Sequence, residues 1–151
     1  MSENKTLLVD SIGKKINAVQ SMIDEIGLNE RVRAEKLRAE EIPNDYKQRF
    51  NFVTFRAVAK TNILLEYAEP FLVSHGTLIV MKANVDGIEL QDASQAAKIF
   101  GYENVSRETF ELPNDLGHRE ILLYRKVGKS KIKLPRKTGM AKSNPFVARR
   151  D

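Results

Sequence analysis

The order of apolar runs constrains this chain more than any other feature. Short segments that read as strands fall at 6–10, 31–36, 50–57, 77–83, 105–112 and 119–127, of which 50–57 is rich in β-branched and aromatic residues. Between the early ones lie segments of helical periodicity. Ile12, Ile16, Val19, Met22, Ile23 and Ile26 make one stripe, which Ser11 can cap and Gly27 can end. Ile63, Leu64, Tyr67, Ala68, Phe71 and Leu72 make a second, with Thr61 as its expected cap. Leu90, Ala93, Ala97 and Phe100 make a third, with Asp86 and Glu89 at capping-box spacing and Gly101 at the end. Gly76 marks an expected turn into TLIVMKA, and PNDLG an expected turn between the last two strands. Strand–helix alternation followed by a strand pair predicts an α/β fold, a doubly wound and mostly parallel sheet with an antiparallel C-terminal edge.

Several function classes fall away at once. There is no cysteine, hence no disulfide framework and no thiolate metal site. His75 and His118 have no second ligand at metal spacing, so no metal is expected. No G-x-S-x-G elbow, G-x-G-x-x-G fingerprint or P-loop occurs. No apolar run approaches the ~18 residues that span a bilayer, and MSENKT lacks a basic and an apolar leader region. A cytoplasmic protein is expected.

Charge is unevenly placed. Residues 126–151 carry nine Lys or Arg against Asp151 alone, a net +8, whereas residues 1–125 sum to −3. A mildly acidic body with a basic tail suggests a polyanionic partner, most simply nucleic acid; the plainer reading is a solvated, partly disordered tail. The expected organisation is a partial catalytic domain at 1–127 and a basic tail at 128–151.

The run TLLVDS places Asp10 at the carboxyl end of the first strand. A strand ending in an acid is the second strand of many nucleotide-binding folds, where the carboxylate holds a ribose and a glycine-rich loop lies roughly 20 residues earlier. Asp10 is equally suited to cap the helix that follows. Arg56 ends FNFVTFR, at the end of the sheet where ligands bind. As a buried arginine it needs a partner, and an ion pair with Glu40 or Glu66 competes with a binding role.

LLVDSIGKKINAV, LRAEE, FVTFRAVA, LEYAEPFL, TLIVMKA, FELP…REILLYRK and LPRKTGMAKSNPF, in this order and spacing, resemble the 16S ribosomal RNA methyltransferase G family, also called glucose-inhibited division protein B. The resemblance covers essentially the whole chain. Its most specific parts are R-A-E-E, V-T-x-R-A-V-A and the terminal P-R-K-x-G-x-x-K. It implies a class I (Rossmann-like) methyltransferase fold, S-adenosylmethionine as cofactor, and methylation of N7 of one guanine in 16S rRNA, free or in the small ribosomal subunit. In cofactor binding it implies Asp10 and Ser11 at the ribose, Ala39 and Glu40 at the adenine, and Arg56. Arg119, Lys131, Lys133, Arg136, Lys137 and Lys142 are the implied RNA contacts. Arg119 reads equally as an edge-strand charge.

Family members place a first strand and a glycine-rich loop ahead of the strand that matches TLLVDS. Met1 therefore reads as an internal methionine, with that strand and loop lacking. The strand near residue 6 is then expected either to pair with that near 50 or to leave the chain marginal, with weak or absent activity. Two alternatives stand beside the enzyme: a non-catalytic RNA-binding remnant, and a methyltransferase for another substrate. His75 stands where the family more often has glycine, and Phe55 where a small residue is usual.

Overall fold

The computed structural model describes residues 4–150; Met1 and Asp151 lie outside the described residues. The chain divides into two compact units, Met1–Glu41 and Ile42–Asp151.

In the first unit, β1 (Thr6–Asp10), α1 (Gly13–Glu25) and β2 (Val32–Lys36) form a βαβ arrangement. The strands are parallel, with Leu8 opposite Ala34 and Asp10 opposite Lys36. α1 buries Ile16 and Ile23, two turns apart on one face. Gln20 ties helix to strand by accepting from Ala34 N at 3.2 Å. Gly27, at φ +69°, turns the chain after the helix, as its position predicts. Ser11 does not cap α1. The helix starts later, with Ile12 at its N-cap, and Asp10 Oδ1 accepts from Ile12 N at 2.8 Å in a short turn of its own.

In the second unit, β3 (Phe50–Arg56), β4 (Leu72–Lys82), β5 (Tyr102–Glu111) and β6 (His118–Lys126) form a sheet of order β3-β4-β6-β5. β3 and β4 are parallel, and β6 is antiparallel to both its neighbours. The helices α2 (Thr61–Ala68) and α3 (Gly87–Phe100) complete the core, in which Leu64, Leu65, Leu72, Leu78, Phe100 and Leu122 are fully buried. The fold is α/β with parallel pairing early and an antiparallel C-terminal edge, as predicted, its strands distributed over two sheets rather than one.

Three boundaries differ from expectation. The second helix stops at Ala68 because Pro70 cannot continue it; Phe71 lies in the turn and Leu72 opens β4. Thr61 is the first helical residue and Lys60 the N-cap. Gly76 is not a turn into a strand but lies inside β4, where the register with β3 shifts between Phe50 and Phe52 and His75 has φ +63°. A Cβ there would meet Val73 O at 3.0 Å.

Asp86 caps α3 by accepting from Glu89 N at 2.7 Å, and Gly101 closes it at φ +78°. A Cβ on Gly101 would sit 2.6 Å from the Gly128 backbone. Gly101→Ala is therefore expected to cost about 2 kcal/mol or more, from the left-handed backbone and the forced separation of two segments. Thermal unfolding checks this; a drop of roughly 4–8 °C is expected.

Residues 128–150 are packed, not extended away. Lys131 N donates to Ile99 O at 2.8 Å, Asn62 Nδ2 to Phe146 O at 2.8 Å, and Ala148 N to Asp92 Oδ1 at 2.9 Å. The short α4 (Met140–Ser143) begins after Gly139 at φ +85°. No helix among the described residues is long and apolar enough to cross a membrane.

Candidate cofactor and RNA-binding residues

Parallel strands deliver their carboxyl ends to one side, where ligands of α/β sheets bind. In the first unit that side carries Asp10 and Ser11 after β1, and Ala39 and Glu40 in the 3₁₀ turn Ala39–Glu41 after β2. The loops are joined directly: Leu37 N donates to Asp10 O at 3.0 Å. A small cavity of about 150 Å³ between them is lined by Ser11, Lys36, Leu37, Arg38 and Glu41. Asp10 does cap the turn through Oδ1, and Oδ2 lies 3.7 Å from Lys15 Nζ. The half-exposed carboxylate keeps acceptor capacity on Oδ2, of the kind that accepts from ribose hydroxyls. Of the four candidates, Ser11 alone lines the small cavity.

In the second unit the corresponding end carries Arg56 and Lys82, with Glu120 of β6 opposite Lys82. Arg56 is exposed, not buried. The burial argument for a partner therefore fails, and Glu66 is engaged elsewhere. Ala57, which follows, has φ +54°; such strain in a non-glycine residue recurs at binding sites.

Two carboxylates, the part-buried Glu89 and the buried Glu120, organise this end. Glu89 Oε1 accepts from Thr61 N at 2.8 Å, Thr61 Oγ1 at 2.6 Å and Lys82 Nζ at 2.8 Å. Lys82 also donates to Ala59 O at 2.7 Å, which pins the loop after Arg56. Burial pushes the Glu89 carboxyl up, but the bonds from Lys82 and Thr61 outweigh it and hold it below the usual range. Glu120 accepts from Arg107 Nε at 2.6 Å and Val85 N at 2.9 Å, and Arg107 holds its carboxyl low against burial. His118 opens β6 and contacts Glu111 at 2.7 Å. Lys82 and Glu120 were readable only as strand ends. Glu89 was read as half of a capping box, which hid its bond to Thr61.

Both carboxyls are depressed on folding, so both add stability that is complete above the ordinary glutamate value of 4.5 and is lost as pH falls below it toward the folded value. Glu89→Gln and Glu120→Gln are expected to flatten the fall in melting temperature between about pH 5 and pH 3. An acid limb unchanged in both variants would contradict this.

The basic candidates divide. Lys131, Lys133, Lys137 and Lys142 are exposed. Arg119 lies on β6, an interior strand and not an edge, and its Nη1 donates to His118 O at 2.6 Å. Arg136 is engaged within the fold. Its Nε and Nη2 grip Glu66 at 2.7 and 2.6 Å, Nη1 donates to Asn144 O at 3.0 Å, and the guanidinium lies 4.6 Å from the Phe146 ring centroid. No group of three His, Cys, Asp or Glu able to hold a metal occurs among the described residues.

Residues 1–120 match the GidB family, rRNA small subunit methyltransferase G. The chain belongs to the rRNA small subunit methyltransferase G family. It is 38% identical over 146 residues to "Ribosomal RNA small subunit methyltransferase G" of Lactococcus lactis, covering 95% of this chain and 60% of that protein. It thus spans about 60% of the length of the curated relatives it matches. Among solved structures, the 1,6-didemethyltoxoflavin-N1-methyltransferase of Burkholderia thailandensis, with bound S-adenosylhomocysteine, superimposes with a TM-score of 0.58 at 14% identity, over 83% of this chain and 72% of that one. TYW2 of P. horikoshii in complex with MeSAdo gives 0.61 at 10% identity, over 82% and 49%. At such identities the likeness establishes the fold, that of the class I methyltransferases.

Proposed function

We propose that the whole protein transfers the methyl group of S-adenosylmethionine to N7 of a guanine in 16S rRNA, free or within the small ribosomal subunit. Family membership supports the reaction class. The observation that carries the cofactor assignment is the juxtaposition of Asp10–Ser11 with Ala39–Glu40 at adjoining carboxyl ends of parallel strands. Asp10 would accept from the ribose hydroxyls with Ser11 beside it, Ala39 and Glu40 would take the adenine, and Arg56 would serve the same cofactor. Lys131, Lys133, Lys137 and Lys142 would meet phosphates, and Arg119 the RNA near the carboxyl end of β4.

The bound cofactor supplies an electrophilic methyl group on a sulfonium. Guanine N7 offers a free lone pair, so no residue has to remove a proton before attack. The chain's contribution is to position the reactants in line. The target base must be splayed or unpaired for its N7 edge to be reached. The test is genetic. Deleting the gene should abolish one 7-methylguanosine in 16S rRNA, detected by reduction and aniline cleavage, and re-expression should restore it. An rRNA methylation pattern unchanged by deletion would contradict the proposal.

A further inference from the structure

A half-open cavity of about 440 Å³ lies between α3 and the β5–β6 hairpin, lined by Leu90, Ser94, Ala97 and Lys98 from the helix and by Tyr102, Asn104, Arg107, Leu122 and Tyr124 from the sheet. It lies within the second unit and shares no residue with the cofactor candidates. Two features of the chain open it. β5 carries an extra residue at Asn104–Ser106, where pairing passes from Tyr124 to Leu123, and such a bulge bends an edge strand. On the helix side Ser94 and Ala97, three apart and so on one face, are too small to fill the gap. Ser94 and Asn104 are exposed at its rim, above the buried Tyr102, Leu122 and Tyr124, and its size is that of a ligand site.

The groove has a cation at each end. At one mouth Arg107 is fixed by Glu120 through Nε and by Val85 O through Nη2, which leaves Nη1 to a ligand. At the other stands exposed Lys98, eight residues and about 12 Å along the helix from Leu90. The basic segment departs from that second mouth. Val127 N and Gly128 N donate to Gly101 O, and Lys131 N to Ile99 O, so exposed Lys129 and Lys131 follow directly. The Tyr124 phenol, which burial pushes up to about 12, adds no charge beneath the groove. Arg107 lies near the carboxyl end of β4, through Glu120. The groove therefore leads from the ligand end of the sheet to the basic segment.

We propose that this groove holds a short unpaired stretch of RNA, a base edge meeting Ser94 and Asn104 at its rim and the flanking phosphates meeting Arg107 Nη1 and Lys98. It rests on the reading of the protein as an RNA-modifying enzyme and adds the path its substrate takes. The site reads no base edge beyond what Asn104 and Ser94 offer, so it tolerates sequence. The test titrates octauridylate into the isotopically labelled 151-residue chain. Amide shifts are expected at Ser94, Lys98 and Asn104. Ser94→Trp, which fills the groove, should weaken binding at least about tenfold. Lys98→Glu, on an exposed helix face where folding is not at risk, should weaken it severalfold and reduce the salt slope by about 0.7, the share of one phosphate on a single strand. Lys142→Glu should weaken binding but leave the groove shifts in place. Shifts confined to residues 131–142, or parental affinity in both groove variants, would overturn the proposal. If 16S rRNA methylation survives gene deletion while octauridylate still fills the groove, the methyltransferase reading fails and the groove stands.

Discussion

Replacing Arg136 with alanine is expected to destabilise the protein by about 3–5 kcal/mol, the range for breaking one side of a buried ion pair. The side chains of Arg136 and Glu66 are 14% and 4% exposed. Removing the guanidinium leaves the Glu66 carboxylate inside α2, every residue of which is buried, without its counter-charge. The same change removes the bond to Asn144 O and the cation over Phe146, both of which hold the C-terminal segment down. Against a typical domain stability of ~5–15 kcal/mol, this is a large fraction. Urea unfolding should show a lower midpoint with little change in slope. Replacing both partners by apolar residues of similar volume should cost far less than the single change, because no charge is then stranded. Lys137→Ala, at an exposed neighbour, should move stability by no more than about 0.5 kcal/mol. Equal effects of Arg136→Ala and Lys137→Ala would mean that the ion pair does not anchor the segment.

Phe100→Ala is expected to cost about 3–5 kcal/mol as well. Phe100 is fully buried at the last turn of α3, and its ring meets Phe146 edge to face at 5.5 Å and 87°. The deletion leaves a cavity beneath the C-terminal segment that backbone bonds on either side, at Lys131 and Ala148, prevent from collapsing. A double-mutant cycle with Phe146→Ala should show coupling of about 0.5–1.5 kcal/mol, the aromatic share of the total. Additive effects would mean that the two rings do not support each other.

Both predictions concern a segment that charge alone described badly. Its nine basic residues suggest a solvated or RNA-bound tail; seven of them are exposed, but Lys126 is buried and Arg136 is held in the fold. What periodicity could not show is that Arg136, Phe146 and Arg150 each meet a partner 46 to 70 residues away, in α2 and α3. Pairing at such separation leaves no local pattern. Local chemistry, by contrast, was legible: Asp86 and Gly101 cap α3 as their spacing predicts. Strand β3 matches the apolar run that predicted it, and the antiparallel pairing of β5 and β6 matches the expected C-terminal edge. The errors at Gly76 and Leu72 share one cause. An apolar stripe was continued through Pro70, which shortened β4 and turned a bulge into a loop.

At the candidate site, the placement of Asp10 followed from its position at a strand end, whereas the supposed burial of Arg56 did not survive. An arginine at the end of an interior parallel strand would be enclosed. β3 is an edge strand of its sheet, and Arg56 is open to solvent. Glu120 goes unmarked for the opposite reason, and Glu89 is marked only as half of a capping box. Their enclosure, full for Glu120 and partial for Glu89, comes from tertiary packing of α3 and β6, and no spacing rule marks a carboxylate that will be enclosed.

The most direct test of the central claim is a titration of adenosine into the isotopically labelled chain, followed at the backbone amides and repeated on Asp10→Asn. Asparagine keeps an oxygen for Ile12 N but loses the charge that strengthens bonds from ribose hydroxyls. The account predicts shifts at Ser11, Ile12 and residues 37–41, with affinity about tenfold weaker in the variant, the equivalent of roughly 1.4 kcal/mol. No shift at these amides at millimolar adenosine, or unchanged affinity in Asp10→Asn, would contradict the assignment of this end of the fold to the cofactor.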